Sequence, residues 1–475
     1  MKARGGAVIL TAAVVAAMSV SAVAGGDSGA LEYLEGGSLS SDARISVGFL
    51  YGAGGRPDGL GSRVSTVRAG VASVSGNPAG LAFLSANGLL LDVLPPIGAS
   101  VSEMIRLEDA AASAIDDAVE DVAAHGLDPI YPVLDANVGQ QAGVISGAVA
   151  FRVGRVVTGA AIEEPLSIGL DLVETGIEAF AAAVKSEGDG EIPIELRCFA
   201  DAAAQASFEI EKVTLAAGSE VARGVAVGAS VSRYHASATA SAVLRADGIV
   251  DYGGQEHAFN DPDDPWHNEL GLSGWGAYRG DAIGWSAGGS WRPRDWLTVD
   301  ALYVGAPRLS LEGSYTTVEN MIPAASDGGL ELADISASQP TATERTETTE
   351  RDPLILHLPS YAGAAVSIRT GRVVTTLEYR RYSGRLGFDL KDESEGIEPS
   401  DGLGLEADFG GLRVGGGVIR GTLRSGSAKD GSGGDILIPL ANLAYQFQLS
   451  ESMTMDLLVV AVPLQVLRLS FAHEF

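Results

Sequence analysis

The closing stretch Leu467-Arg468-Leu469-Ser470-Phe471-Ala472-His473-Glu474-Phe475 decides the fold. Counting back from Phe475, His473, Phe471, Leu469 and Leu467 share one face, while Glu474, Ala472, Ser470 and Arg468 share the other. Successive side chains of a strand point to opposite faces, so this pattern specifies a strand with one apolar and one mixed face. The two preceding stretches repeat it. Leu443, Tyr445, Phe447 and Leu449 oppose Asn442, Ala444, Gln446 and Gln448, and after the turn Ser450-Glu451-Ser452, Met453, Met455, Leu457 and Val459 oppose Thr454 and Asp456.

A soluble sandwich also alternates. Two features point instead to a membrane barrel. The strands run about 9–12 residues, the length a tilted strand needs to cross a bilayer, and aromatic residues gather at strand ends, where interfacial girdles sit. Trp285 and Trp291 fall on the apolar face of one strand, the turn Arg292-Pro293-Arg294-Asp295 follows, and Trp296 opens the next strand. These three tryptophans are the candidate girdle; packed core tryptophans are the alternative. Two near-identical stretches, Phe151 to Thr158 and Ile368 to Thr375, read as strand, Gly turn, strand.

Working outward predicts an all-β chain, a transmembrane antiparallel barrel of about fourteen strands. They fall near 87–94, 143–152, 155–162, 204–217, 224–240, 276–291, 296–309, 358–369, 372–385, 403–409, 412–423, 436–449, 453–461 and 464–475. An even count leaves both chain ends on the periplasmic side. Long polar segments, Asp251 to Asn268, Thr316 to Asp352, Leu390 to Asp408 and Ser425 to Asp435, read as loops. Short turns at one end and long loops at the other are expected of an outer-membrane barrel. Met104 to Ala124 and Leu166 to Val184 instead carry apolar residues at helical spacing and are expected to be helical extracellular loops covering the barrel mouth. Their acidity argues against the alternative, helices lying on anionic headgroups.

The chain has 475 residues, 46% of them hydrophobic, with 32 basic against 61 acidic residues and a net charge of -29. That excess repels phosphate backbones, so no nucleic-acid partner is expected. The single cysteine, Cys198, excludes a disulfide framework. Met1 to Arg4 is basic, Ala7 to Val15 is apolar, and Ser21-Ala22-Val23-Ala24 has the small-residue form of a cleavage site before Gly25. Residues 1–24 are thus expected to be a signal peptide, an N-terminal anchor being the alternative. Beyond Ala24 no stretch of about 18 uninterrupted apolar residues follows.

No constellation for catalysis or metal binding stands out, so neither an enzyme nor a cofactor is expected. The six histidines show no i,i+4 pair. Asn260 to Asp264 carries carboxylates without the spacing of a calcium loop. The run Gly415-Gly416-Gly417 follows no phosphate-loop pattern and suits close strand packing.

Residues 25–86 precede the first strand. They end in Ser75-Gly76-Asn77-Pro78-Ala79-Gly80-Leu81-Ala82-Phe83, which resembles the Asn-Pro-Ala-Gly-Leu motif found before the first strand in the FadL family of outer-membrane transporters. The stretch Gly284-Trp285-Ser286-Ala287-Gly288, with its partner Leu311-Glu312-Gly313-Ser314-Tyr315, looks like that family's mid-barrel strand pair. The insert 104–124 looks more like a branch of barrel proteins carrying plasmid-transfer (TraF-like) names. The resemblance implies a plug or hatch over 25–86, lined by Asn77, Pro78, Ala79, Gly80 and Leu81, ahead of a barrel over 87–475. It implies, too, that Phe475, Phe471 and Leu469 form the insertion signal read by the barrel-assembly machinery.

The expected function is passive, hatch-gated uptake of a hydrophobic small molecule, a long-chain fatty acid or similar, across the outer membrane of a Gram-negative type cell, with outer-membrane lipid around the barrel. The alternative is a non-transporting, protein-binding or secretion-linked scaffold. A barrel hydrolase ranks third. An apolar lumen pocket favours transport, and a fully polar, filled lumen favours the scaffold.

Overall fold

A computed structural model describes residues 30–35, 38–46, 64–67, 70–95, 133–140, 143–187, 190–259, 261–264, 267, 270–321, 343–350, 354–390, 393–425, 432–462 and 466–475. The barrel closes where the closing stretch meets the first strand. Leu469 pairs with Val93 and Glu474 with Gly88 in an antiparallel ladder, and the Phe475 amide donates to the Asn87 carbonyl at 3.0 Å.

Fourteen antiparallel strands complete the circuit. They are β1 (Gly88–Leu94), β2 (Gly143–Val153), β3 (Val156–Glu187), β4 (Gly190–Ala222), β5 (Val225–Tyr252) and β6 (Leu270–Arg294). Next come β7 (Leu297–Gly305 with Arg308–Met321), β8 (Thr343–Glu350, Leu354–His357 and Ser360–Thr370) and β9 (Val373–Ser383 with Leu386–Leu390). The last are β10 (Glu393–Asp408), β11 (Leu412–Ser425), β12 (Ser432–Gln448), β13 (Met453–Val462) and β14 (Val466–Glu474). Each strand read from alternation falls on one of these.

The short turns, from each even strand to the next odd one, lie at one end. Gly154 and Gly371 sit in the two similar hairpin turns at φ 66° and 62°, a region a side chain disfavours. In the membrane-facing part the alternation divides inside from outside. On β7, Thr298, Asp300 and Leu302 are buried while Tyr303 is exposed; on β12, Leu443, Tyr445 and Phe447 are all exposed, as is Leu449 just past its end. This outward apolar band ends at a charged row. Exposed Arg233 pairs with Asp281 on β5 and β6, and Arg420 pairs with Asp401 on β11 and β10. From Ile283 to Trp291 the outward face of β6 is free of charge, about 9 residues and thus one tilted bilayer crossing.

Beyond that row β3 to β6 run on, away from the short turns. Their ladders continue to Glu187↔Gly190 and Ile194↔Tyr252. Here the expected helix over 166–184 is corrected: the segment is strand, part of β3. Bulges in the β3–β4 ladder after Glu163 and after Glu174 each shift the register. Period-two alternation interrupted by bulges imitates helical spacing, and the Pro165 ring suits the first of them. Segments read as loops are also partly strand: 393–408 is β10, and 316–321 and 343–350 extend β7 and β8. Asp251 and Tyr252 turn back on a short strand, Gln255–Ala258. The expected helix over 104–124 lies outside the described residues, as does the expected signal peptide.

The pre-barrel region is divided. Ala30–Glu35 and Ser38–Ser46 pair along the outer half of β3, Ser38 opposite Thr175 and Ser46 opposite Ser167. Among the described residues of this region, those that pack against the inward face of the barrel lie within 64–67 and 70–86.

Candidate functional site in the barrel lumen

Three layers line the lumen, and β4 shows them in order from the short turns: Gly218, Ala216, Thr214, Lys212 and then Ile210 face inward. The strand β1 repeats the order with Leu90, Asp92 and Leu94, all buried.

The first layer holds the N-terminal segment. Two 3-10 turns, Val71–Val74 and Pro78–Phe83, present Val71, Val74, Leu81 and Leu84 to inward residues of β1 to β4. Asn77 starts the second turn, its Oδ1 accepting from the Ala79 amide at 3.1 Å while Pro78 fixes the first helical position. The Asn77 Nδ2 donates to the carbonyls of Val64 at 2.8 Å and Ala301 at 3.1 Å, tying the segment to itself and to β7. Room for this comes from glycines in register on adjacent strands, Gly218 opposite Gly228 and Gly228 opposite Gly288. A Cβ at Gly218 or Gly228 would overlap Pro78, and one at Gly288 would overlap Asn77. Across Leu302, Gly363 gives the same room to Val64. Thr66 adds an anchor: its amide and hydroxyl donate to Asp300 at 2.9 and 2.7 Å, and its carbonyl accepts from Arg292 at 2.8 Å. The Arg292 guanidinium also covers the Phe83 ring, 3.4 Å from its centroid.

The second layer is polar. Lys212 pairs with Glu163 at 2.8 Å, both buried. Thr214 and Ser232 share a 2.9 Å hydrogen bond. Arg468 meets Asp92, which also accepts from Ser146 and Ser470, so this network crosses the closing seam of the barrel. Arg413 pairs with Asp456, and Arg380 with Glu378. Charges so far from water persist only when paired and hydrogen-bonded, and these are.

The third layer is an apolar belt. Leu94, Ile145, Leu166, Ile210, Tyr234, Ala236, Leu309, Leu311, Leu356, Ala444, Leu458 and Val460 form one buried cluster. They come from β1 to β5, β7, β8, β12 and β13, so the belt lines most of the circumference at the level of the outward charged row. On β13 the change from polar to apolar lies between Asp456 and Leu458.

Of the residues expected to matter, the structure brings Asn77, Pro78, Ala79, Gly80 and Leu81 together inside the barrel, all buried. Leu469, Phe471 and Phe475 lie on β14 or just past its end, the Phe475 ring 6.1 Å from Phe151. Trp285, Trp291 and Trp296 are each just over half exposed and point outward. Trp291 and Trp296 flank the short turn, whereas Trp285, its ring tilted against Tyr303 with centroids 5.1 Å apart, stands about 20 Å further along the strand near the charged row. Sequence reasoning missed the glycine register and the belt. The inward parity of Leu309 and Leu311 could have revealed the belt only with the strand break at Pro307 recognised.

Among the described residues no group of three or more His, Cys, Asp or Glu is placed to hold a metal ion.

Comparison with solved structures finds similar barrels. The chain is similar to the Ralstonia pickettii toluene transporter TbuX at 12% identity and TM-score 0.42, over 90% of this chain and 99% of that one. It is similar to a Pseudomonas aeruginosa FadL homologue at 13% identity and TM-score 0.44, over 93% and 100%. It is similar as well to the CymD monoaromatic hydrocarbon channel at 14% and TM-score 0.42, over 90% and 98%. No family model and no curated protein matches the sequence. The barrel stands on its own strand pairing.

Proposed function

We propose that the barrel passes a hydrophobic small molecule passively across the outer membrane, and that the apolar belt is where such a molecule first sits. The observation that carries this is the belt itself: a cluster of inward apolar side chains at the outer level of the lumen, above a polar layer. A solute burying about 200 Å² of apolar surface there gains roughly 5 kcal/mol. The N-terminal segment is held by the Thr66 and Arg292 contacts and by its apolar packing as well as by the two Asn77 hydrogen bonds to the carbonyls of Val64 and Ala301, so a ligand shifts it only by binding one arrangement more tightly than the other.

The test is uptake of a fluorescent long-chain fatty acid and of toluene by cells carrying Leu356→Asp or Ile210→Asp at matched amounts of folded barrel. Uptake should fall several-fold. Equal uptake would sink the reading and favour the scaffold, which the outward extension of β3 to β6 otherwise supports.

A further inference from the structure

The outward extension carries a groove that the lumen does not use. Its volume is about 730 Å³, and Asp171, Gln205, Ser207, Thr239, Ser241 and Trp275 line it on four neighbouring strands. Register places these side chains together on one face. Asp171 lies opposite Gln205, Gln205 opposite Ser241 and Ser241 opposite Trp275. The β5–β6 ladder is unbroken from Leu270 to Trp291, so Trp275 points to the same side as Trp285 and Trp291, away from the lumen. It stands about 20 Å of strand beyond Asp281, or ~15 Å above the apolar band at a tilt near 40°. The groove thus opens just outside the membrane surface, on the side opposite the short turns.

Its chemistry is selective. Trp275 is half exposed and offers a flat apolar face. Around it stand an amide, three hydroxyls and a carboxylate, groups that can both donate and accept. The hydroxyls of Ser207 and Thr239 already hold each other at 2.6 Å, which orders the floor. Across four strands the groove is about 14 Å wide, room for one or two six-membered rings. Asp171, with Glu209 also on the lining, repels phosphate and carboxylate.

We infer that this groove binds a neutral saccharide, one sugar ring stacking its C–H face on Trp275 while its hydroxyls meet Gln205, Ser207, Thr239, Ser241 and Asp171. The sugar can come from a free oligosaccharide or from a glycolipid headgroup of the surrounding outer leaflet.

The full chain in detergent is applied to an immobilised panel of neutral and of phosphorylated or acidic di- to tetrasaccharides. In parallel it is titrated with phosphatidylethanolamine vesicles, with and without a glycolipid that carries a neutral disaccharide headgroup. Neutral sugars should bind and acidic ones should not. Trp275→Ala should weaken binding at least tenfold with heat-modifiable gel mobility intact, and Ser241→Trp, which fills the groove from a half-buried position, should do the same. Binding only to the glycolipid vesicles, lost in both variants, assigns the sugar to the leaflet; binding to free sugars assigns it to solution. No neutral sugar bound in either arm, or binding unchanged in Ser241→Trp, overturns the inference.

Discussion

Asn77 occupies the space where Gly288 would carry a side chain: a methyl group there would overlap the Asn77 carboxamide. One residue along, a Cβ at Gly289 would meet nothing nearer than the Ala226 carbonyl at 3.9 Å. Neighbouring glycines on one strand therefore differ sharply in what they tolerate.

Gly288→Ala should cost about 1–3 kcal/mol in the docking of the N-terminal segment, the usual range for overpacking. Gly289→Ala should cost almost nothing. Limited proteolysis within 64–86 should be faster in the first variant alone, with the same heat-modifiable barrel in both; equal cleavage would show that the segment is not held through this contact.

Asn77→Ala removes the donor shared by the Val64 and Ala301 carbonyls and the acceptor for Ala79. Buried polar groups left without partners cost about 1–3 kcal/mol each at most. Uptake of the fluorescent fatty acid should change at constant barrel abundance. Unaltered uptake would reduce the motif to a structural turn.

Arg468→Ala should be the most damaging lumen substitution, since it leaves the Asp92 charge buried beside Ser146 and Ser470 at the closing seam. Breaking such a pair costs roughly 3–5 kcal/mol, whereas replacing both partners by apolar residues of similar volume is far milder. Heat-modifiability against temperature reads this directly. Arg468→Met with Asp92→Leu should unfold at a higher temperature than Arg468→Ala.

Deleting Phe475 removes its amide bond to Asn87 and its ring contact with Phe151. Barrel assembly, followed as the heat-modifiable fraction in outer-membrane extracts, should fall with a matching rise in periplasmic degradation. An unchanged fraction would make Phe475 an ordinary strand end.

The barrel was legible because a membrane strand has to keep its alternation over one bilayer crossing, so Leu443 to Leu449 and Leu467 to Phe475 could be read without partners. The outward part of β3 was not legible. Above the charged row no lipid enforces parity, and bulges after Glu163 and Glu174 broke what alternation there was. The Asn77 turn was legible as a motif, but its seat was not. Gly218, Gly228 and Gly288 lie far apart in sequence and become one surface only through register.

The breaks at Pro307, Pro359 and Gly384 have a mechanical consequence. Between β7 and β8 the ladder stops at Val304↔Tyr361 and resumes at Arg308↔His357. Between β8 and β9 it stops at Ser360↔Ser383 and resumes at His357↔Gly387, and between β9 and β10 at Arg381↔Asp401 and Leu386↔Ile397. Across the β4–β5 and β5–β6 seams the bonds run through that level without a gap. The upper sheet is therefore a cantilever: clamped to the membrane barrel along β4 to β6 and jointed along β7 to β10, it transmits bending from one side of the rim and absorbs it on the other.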